Sequence, residues 1–420
     1  MTDATVTESP DFDVPDHVPG ELVRVFDHFN EPGLKANPVT FYDEIRRSDH
    51  PTFWSPVFGG FWVLTRFDDI KTVLQDAEGF KNEHMSFPGK SVWPRKLIPV
   101  ELDPPLHMPY KTVEAKALSP VKVRDLAPAI TTDVKELLQP ILDNGSCEFF
   151  RDFAQPMPTT VFCRLFGLPI EQATTFLQWE TDLIHGSQHG DSATLRLEAG
   201  LKIQAYLEGL IADRLENPVD DLISMFTQSE VHGRRMTPDE TLDMCYQLFI
   251  AGLDTVTSAL SFCFSFLATH PEHRRQLYED PSLVPNAIEE LMRTHSFISG
   301  NRVAQADVEV GGVLIKKGET VLYALASGSR DESLVEHADT VDFTREGIKH
   351  LAFGIGPHRC VGSHLARMQL QIVMREWFAE TEDFELAEGA EIVYRPAGSS
   401  GIIHLPLVVT PRAVDAGASA

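Results

Sequence analysis

The chain has 420 residues, 43% of them hydrophobic, and carries a formal net charge of −26. This excess of carboxylates argues against nucleic acid as a partner, because phosphate binding requires a basic surface. The five cysteines, an odd number without a CxxC pair, argue against both a disulfide framework and a structural zinc site.

The predicted organisation is one large domain between two short tails. Residues 1–20 are acidic and show no apolar periodicity, which predicts a disordered segment that is neither a signal peptide nor a membrane anchor. Residues 413–420 are predicted to be a C-terminal tail. Residues 21–412 contain no Ser/Gly-rich linker and no repeat, so a single domain is expected there. The net negative charge favours a cytoplasmic protein that repels its own copies.

Helical signals dominate the chain. The first predicted helices cover residues 38–47, 67–74, 121–142 and 195–215, and the third of them ends at an Asn-Gly C-cap signal. Strand signals are few, and the predicted strands cover residues 58–65, 307–314 and 320–324, with a last pair around residues 398–401. The expected fold class is mainly α with small β-sheets, because the strands are too scattered for a doubly wound sheet.

A long helix is predicted at the centre of the chain. Thr237 is a suitable N-cap, Pro238 takes the first helical position, and Glu240 completes a capping box. The apolar run ends before the next proline, so the helix is roughly 50 Å long at 1.5 Å per residue. Residues 248–268 are long enough to cross a bilayer, but they contain a carboxylate and several hydroxyl groups. A buried core helix is therefore the expected structure, because a carboxylate inside a membrane is costly.

The strongest chemical signal is the segment 353–362, which reads FGIGPHRCVG. Its three glycines and one proline predict a tight loop, and a helix is predicted to follow at residues 363–378. Cys360 therefore lies before a helix N-terminus and next to Arg359, and both features favour a thiolate with a lowered pKa. A thiolate on a rigid loop is a soft ligand suited to iron, whereas the alternatives are an idle thiol or a redox sensor.

Two other groups of residues are weaker signals when each is taken alone. Glu290 and Arg293 lie three residues apart on a helix, a spacing that is common for surface ion pairs. Gly252 and Asp254 interrupt the long apolar helix at a cost in stability, which indicates a functional site. The hydroxyl of Thr255 can donate to a carbonyl one turn earlier and bend the helix. The alternative is a kinked core helix with a solvated carboxylate.

Taken together, these motifs resemble those of the cytochrome P450 family of haem-thiolate monooxygenases. The loop has the family's spacing of Phe353, Gly356, Cys360 and Gly362. Glu290 and Arg293 resemble its ExxR motif, and the segment AGLDT at residues 251–255 resembles its acid–alcohol pair. The resemblance spans residues 22–410 and is nearest to the camphor-hydroxylating group of soluble bacterial enzymes.

The resemblance implies the cytochrome P450 fold, in which haem b lies between the long central helix and the cysteine loop. It makes Cys360 the axial ligand of the haem iron, and it makes Asp254 and Thr255 the catalytic pair that delivers protons for oxygen activation. Glu290 and Arg293 become a structural ion pair whose third polar partner is either Arg330 or Arg345. The other implied haem-binding residues are His107, Lys111, Arg302, His358, Phe353, Gly354 and Gly252.

The implied activity is insertion of one oxygen atom from O₂ into a C–H bond of a small hydrophobic substrate. Electrons would come from a separate ferredoxin or flavodoxin and its reductase, because the chain has no flavin or iron–sulfur domain of its own. The partner would meet a basic face that carries Lys111, Lys349, Arg359 and Arg367. Rival interpretations are a non-catalytic haem sensor or carrier, a peroxide-driven haem-thiolate enzyme and a helical interaction protein without a cofactor.

The pocket implied by the resemblance is mostly apolar. Its expected residues are Trp93, Leu248, Phe297, Ile298 and Ile402, with Ser399 and Ser400 near the last hairpin turn. The tyrosine that holds the ketone in the camphor-hydroxylating group is missing here, since Arg95 or its neighbour takes that place. A terpenoid or norisoprenoid is therefore the expected substrate, and a fatty acid held by Arg95 is the alternative.

Overall fold

The computed structural model describes residues 12–85, 87, 93–185 and 192–413. The helices of these residues are α1 (Pro32–Ala36), α2 (Phe41–Arg47), α3 (Phe67–Gln75), α4 (His107–Ala117), α5 (Pro120–Asp125), α6 (Ala127–Asn144), α7 (Pro156–Phe166), α8 (Ala173–His185), α9 (Ser192–Glu216), α10 (Leu222–Gln228), α11 (Pro238–Thr269), α12 (Pro271–Glu279), α13 (Val284–Thr294), α14 (Leu325–Ser329) and α15 (Ser363–Glu380). The strands are β1 (Thr52–Ser55), β2 (Phe61–Leu64), β3 (Phe80–Lys81), β4 (Ser146–Glu148), β5 (Glu230–Val231), β6 (Arg234–Arg235), β7 (Ser299–Ala304), β8 (Val308–Val310), β9 (Val313–Ile315), β10 (Thr320–Ala324), β11 (Thr381–Leu386), β12 (Val393–Arg395), β13 (Gly401–His404) and β14 (Pro406–Pro411).

The strands form small, separate sheets. The largest has the order β1-β2-β10-β7-β3, in which β2 and β10 are parallel and the other pairs are antiparallel. A second sheet has the order β11-β14-β4, and β5–β6, β8–β9 and β12–β13 are two-stranded. Helices thus dominate and the sheets are small, as the sequence predicted.

Helix α11 is the central element of the fold. The side chain of Thr237 accepts a hydrogen bond from the backbone of Glu240 while the Glu240 carboxylate accepts from the Thr237 amide, so the predicted capping box is confirmed. The helix is long and apolar enough to cross a membrane, but 78% of its most apolar stretch is buried inside the protein. It packs against α7, α8, α9, α13 and α15, and it is a core helix as expected.

Several predicted elements differ in their boundaries. The helix predicted at residues 121–142 is divided into α5 and α6 at Leu126, although it ends as predicted at Gly145, which has a φ of +66°. The strand predicted at residues 307–314 is divided into β8 and β9 by two glycines with positive φ. Phe58, predicted to lie in a strand, has a φ of 57° in the turn before β2.

The disordered N-terminal tail predicted for residues 1–20 extends too far towards the C-terminus. Residues 12–20 belong to the described part of the chain, and Val18 packs into the apolar cluster around the largest sheet. His17 pairs with Glu319 at 3.0 Å beside it. Burial of Val18 contributes to holding this short segment, because it removes apolar surface from water. Residues 1–11 and 414–420 lie outside the described residues.

Candidate active site

The loop before α15 holds Cys360 in a fixed position. The Cys360 amide donates to the carbonyl oxygen of Phe353 at 2.8 Å, and the Arg359 amide donates to that of Gly356 at 3.1 Å. Gly356 has a φ of +78°, and a Cβ atom there would collide with the carbonyl oxygen of Leu74. Glycine at this position is therefore required both by the backbone conformation and by the close approach of the C-terminal end of α3.

The environment of the Cys360 thiol differs from the prediction in one respect. Burial raises the pKa of the thiol above its ordinary value, while the charge of Lys111 and the amide of Gly362 act in the opposite direction. For the protein chain without a ligand, the predicted lowering of the Cys360 pKa is therefore wrong, because desolvation outweighs the nearby positive charge. The thiol nevertheless has open surface, because it forms part of a cavity wall.

The ExxR pair lies in the interior beneath this loop. Arg293 donates to both carboxylate oxygens of Glu290, at 2.7 and 2.8 Å, and also to the carbonyl oxygens of Ala338 and Thr340. Arg345 is the third partner, since its Nε donates to Glu290 at 3.0 Å. The other candidate, Arg330, pairs instead with Asp43 of α2 at 2.7 Å. The ion pair thus ties α13 to the segment that leads to the cysteine loop.

The middle of α11 lines the same cavity as Cys360. Gly252 and Thr255 line it, and a Cβ atom on Gly252 would meet nothing closer than Phe162 at 3.9 Å. The Thr255 hydroxyl donates to the carbonyl oxygen of Ala251 at 2.9 Å, as predicted. Its oxygen lone pairs remain available, so Thr255 can accept a hydrogen bond from a ligand in the cavity.

Asp254 lies behind Thr255 and is buried. Only 4% of its surface is exposed, and Arg395 of β12 donates to it at 3.1 Å. Burial raises the pKa of Asp254 to about 7. A second carboxyl, Glu180 of α8, is 3% exposed and interacts electrostatically with both groups. Sequence analysis missed Arg395 and Glu180, because nothing in their local sequence shows that distant elements meet at Asp254.

Basic side chains cluster at one edge of the cavity. The rings of His107 and His358 lie 4.3 Å apart, and both ring nitrogens of His107 are buried without a hydrogen-bond partner among the described residues. Burial, with the charges of Arg302 and Lys111, lowers the pKa of His358 to about 3. Arg302 is held by Asn82 and the Tyr323 hydroxyl. This arrangement suits an anionic ligand, which would supply the missing acceptors and reduce the mutual repulsion.

The cavity has a volume of about 360 Å³. Of the predicted haem and pocket residues, those that line it are Gly252, Thr255, Cys360, His107, Lys111, His358, Phe353, Gly354, Leu248, Phe297 and Ile298. Trp93 and Ile402 do not line it. Trp93 stacks on Tyr246 at 3.8 Å and donates to Asp243 at 2.8 Å, and the buried Ile402 packs into the surrounding core.

These residues fit the haem that the resemblance implies. The Cys360 thiol supplies a soft iron ligand, and Gly252 of α11 leaves space in the same cavity because it has no side chain. The orphaned nitrogens of His107 and the neighbouring cations can bind the two propionates of a haem. Arg302 does not line the cavity, but its hydrogen-bond partner Tyr323 does. A polar side chain that sequence analysis missed, Gln247, also faces the cavity.

The chain is similar to known proteins over nearly its whole length. The sequence profile of the cytochrome P450 family matches residues 198–380. The probable cytochrome P450 127A1 of Sinorhizobium fredii is 33% identical over 405 residues, which cover 94% of this chain and 96% of that protein. The vitamin D(3) 25-hydroxylase of Pseudonocardia autotrophica is 30% identical, with coverage of 90% and 94%.

Solved structures show the same architecture. The crystal structure of CYP101J2 superposes with a TM-score of 0.86 at 31% identity, and it matches over 94% of this chain and 99% of its own. CYP101C1 gives a TM-score of 0.84 at 32% identity, with the same coverage. Because identity of 30% or more extends over nearly the whole length of both relatives and both structures, the chain belongs to the cytochrome P450 family of haem b monooxygenases.

Proposed function

We propose that this monooxygenase inserts one oxygen atom from O₂ into a C–H bond of a terpenoid or norisoprenoid, with electrons from a ferredoxin and its reductase in the cytoplasm. One observation carries the proposal. Cys360, Gly252 and Thr255 line one cavity together, and most of the other residues that line it are apolar.

In this proposal the residues assigned to haem binding have defined tasks. Haem b supplies the redox chemistry when bound, and its iron is held by Cys360. His107, Lys111 and His358 hold the propionates, with Arg302 behind them. The protein's own chemistry is proton delivery, for which acid–base groups must lie beside the reacting oxygen.

The proton pathway begins at a buried acid. The pKa of Asp254 is near 7 because of burial, so this carboxyl can both hold and release a proton at neutral pH. Thr255 is the next residue of α11 and lines the cavity. Its hydroxyl is fixed by the hydrogen bond to Ala251. A hydroxyl that donates to the backbone can still accept from an incoming water, so Thr255 positions the proton for transfer.

The substrate class follows from the lining and from the charges near it. Leu248, Phe297 and Ile298 form an apolar wall suited to a hydrocarbon skeleton. Arg95, the alternative anchor for a fatty acid, is bound to Asp243 at 2.9 Å and to Asp239 at 3.3 Å. Its charge is therefore already compensated by two carboxylates, and binding a third would compete with these pairs.

Ligand titration tests the substrate class. We expect ionone, a norisoprenoid, to shift the haem absorption band at lower concentration than camphor or dodecanoate. The reason is that Leu248, Phe297 and Ile298 provide apolar contacts for a hydrocarbon skeleton. We also expect Arg95→Ala to leave the dodecanoate titration unchanged. Tight binding of dodecanoate that is lost in the Arg95→Ala variant would contradict the proposal and make Arg95 a carboxylate anchor.

The proposed docking face for a ferredoxin is narrower than the sequence suggested. Lys111 faces the cavity and lies 3.7 Å from Glu114. Arg367 is bound to Glu289 at 2.5 Å and its guanidinium lies over the ring of Phe353. Lys349 and Arg359 are the exposed cations of the original four, and an exposed cation steers an acidic partner.

Charge reversal tests this face. The double variant Lys349→Glu with Arg359→Glu should slow reduction by an acidic ferredoxin, most strongly at low salt, because the steering field is lost. Reversal of the exposed Lys202 on α9 is the matched control and should leave the rate unchanged. Stopped-flow reduction measures both. Equal rates in the double variant and the wild type would show that the partner docks elsewhere.

A further inference from the structure

Gln247 is a buried polar residue on the cavity side of α11. It lines the same cavity as Thr255 and Cys360, and only 8% of its surface is exposed. Its Oε1 atom is buried without a hydrogen-bond partner, and its amide nitrogen donates to no described residue. A buried polar group without a partner costs free energy, so its presence in a cavity wall indicates a ligand that supplies the partner.

The part of the cavity around Gln247 is apolar. Apart from Thr255, the other residues of α11 that line the cavity have no polar side chain: Leu248, Ala251, Gly252, Val256 and Ala259. Helices α7 and α10 pack against α11, and the residues that they contribute to the cavity are also apolar: Pro158, Val161, Phe162, Leu165, Phe166 and Leu222. An ordered water needs about two to four polar partners, so water alone does not satisfy this amide.

A second glutamine of the cavity belongs to a different element. Gln369 also lines the cavity with a buried, unpaired Oε1 atom, but it lies on α15, the helix that follows the cysteine loop. Gln247 instead shares a helix face with Thr255, because residues four apart, such as 247, 251 and 255, lie on one side of a helix. The two positions are separated by about 12 Å along the helix axis at 1.5 Å per residue.

We infer that Gln247 selects substrates that carry a hydroxyl or ketone oxygen, and that it determines which carbon is oxidised. The inference rests on the proposed function, since it concerns the substrate of that reaction. A side-chain amide donates through its N–H groups and accepts through its oxygen, so it can bind either kind of substrate oxygen. When the substrate oxygen is held at Gln247, the carbon beside Gly252 and Thr255 lies roughly 7–12 Å away along the helix. An ionone is long enough to span this distance, whereas camphor, a compact bicycle, is too short.

Titration of the ferric holoprotein with matched ligand pairs tests the hydrogen bond. One pair is ionone and the same skeleton with a methylene group in place of the ketone, and the other is camphor and bornane. Gln247→Met keeps the length of the side chain but removes the amide. The preference for the ketone of each pair should therefore fall about five- to tenfold, the usual net effect of one hydrogen bond. Gln369→Met is the matched control and should keep the wild-type preference.

Product analysis gives a second readout. The wild type should oxidise ionone on the ring, at a carbon far from the ketone, and should give one main product. Gln247→Met should give a mixture, because no hydrogen bond then fixes the orientation of the substrate. A merely structural role of Gln247 would weaken the binding of both members of a ligand pair alike, so it would leave the ratio of their affinities unchanged.

The inference and the proposed substrate class fail in different ways. An unchanged ketone preference in Gln247→Met for both ligand pairs would overturn the inference, even if ionone remains the tightest ligand. An equal loss of preference in Gln369→Met would overturn it as well. If ionone binds no more tightly than dodecanoate but Gln247→Met loses the preference for camphor over bornane, the norisoprenoid proposal is wrong and the role of Gln247 stands. If Gln247→Met yields no haem-containing protein, Gln247→Leu is titrated in the same way.

Discussion

Replacing Arg293 by alanine is expected to prevent accumulation of folded, haem-containing protein. Arg293 and Glu290 are fully buried, and Arg293 also satisfies the carbonyl oxygens of Ala338 and Thr340. Removing one partner of a buried pair leaves an uncompensated charge and typically costs about 3–5 kcal/mol. That is a large fraction of the stability of an ordinary domain, which is about 5–15 kcal/mol.

The measurement for Arg293→Ala is the yield of soluble protein that carries the haem absorption band. Arg47→Ala is a matched control, because Arg47 also pairs with a carboxylate, Glu332, but is 47% exposed. An exposed ion pair is worth about 0–1 kcal/mol, so the control should fold normally. A normal yield of the Arg293→Ala protein would contradict the assigned role of the pair, and conservative Arg293→Lys should remain defective because lysine cannot bind bidentately.

Replacing Thr255 by alanine is expected to uncouple electron consumption from product formation. The variant should still bind substrate and consume reductant, but release hydrogen peroxide in place of product. The reason is that Thr255 lines the cavity with a hydroxyl fixed on Ala251, where a proton must be delivered. We expect product per electron pair to fall by about 10²-fold, the lower end of the usual contribution of acid–base catalysis.

Thr257→Ala is the control for Thr255→Ala. Thr257 lies on the same helix and donates to the carbonyl oxygen of Leu253 at 3.1 Å, but it does not line the cavity. The control therefore loses the same kind of hydrogen bond without losing a group beside the reacting oxygen. Peroxide and product are assayed together for each variant. Equal coupling in the two variants would show that the hydroxyl of Thr255 has no role in proton delivery.

The parts of the site that sequence analysis predicted are those defined within a short segment. The cysteine loop is one such part, since Gly354 and Gly356 both have a positive φ and the Cys360 amide donates back to Phe353 within the same loop. The capping box of α11 is another, because Thr237 and Glu240 are three residues apart. Spacing of this kind is readable in a sequence because the groups that interact belong to the same turn.

The parts that could not be predicted depend on contacts between distant segments. Arg395 reaches Asp254 across 141 residues of sequence, and Arg345 reaches Glu290 across 55. Trp93 was placed in the pocket by its position before α4, but its stacking on Tyr246 is a tertiary contact. The boundary between α5 and α6 was missed for a related reason, since apolar periodicity continues across the break at Leu126.

The absorption spectrum of the reduced protein with carbon monoxide tests the central claim most directly. A thiolate ligand pushes electron density onto the haem iron and gives a strongly red-shifted band. We expect this band in the wild type and in Cys263→Ala, which changes a buried cysteine of α11 away from the cavity wall. Cys360→Ala should lose the band. If Cys360→Ala retains it, another residue is the thiolate ligand and the site described here is not the haem site.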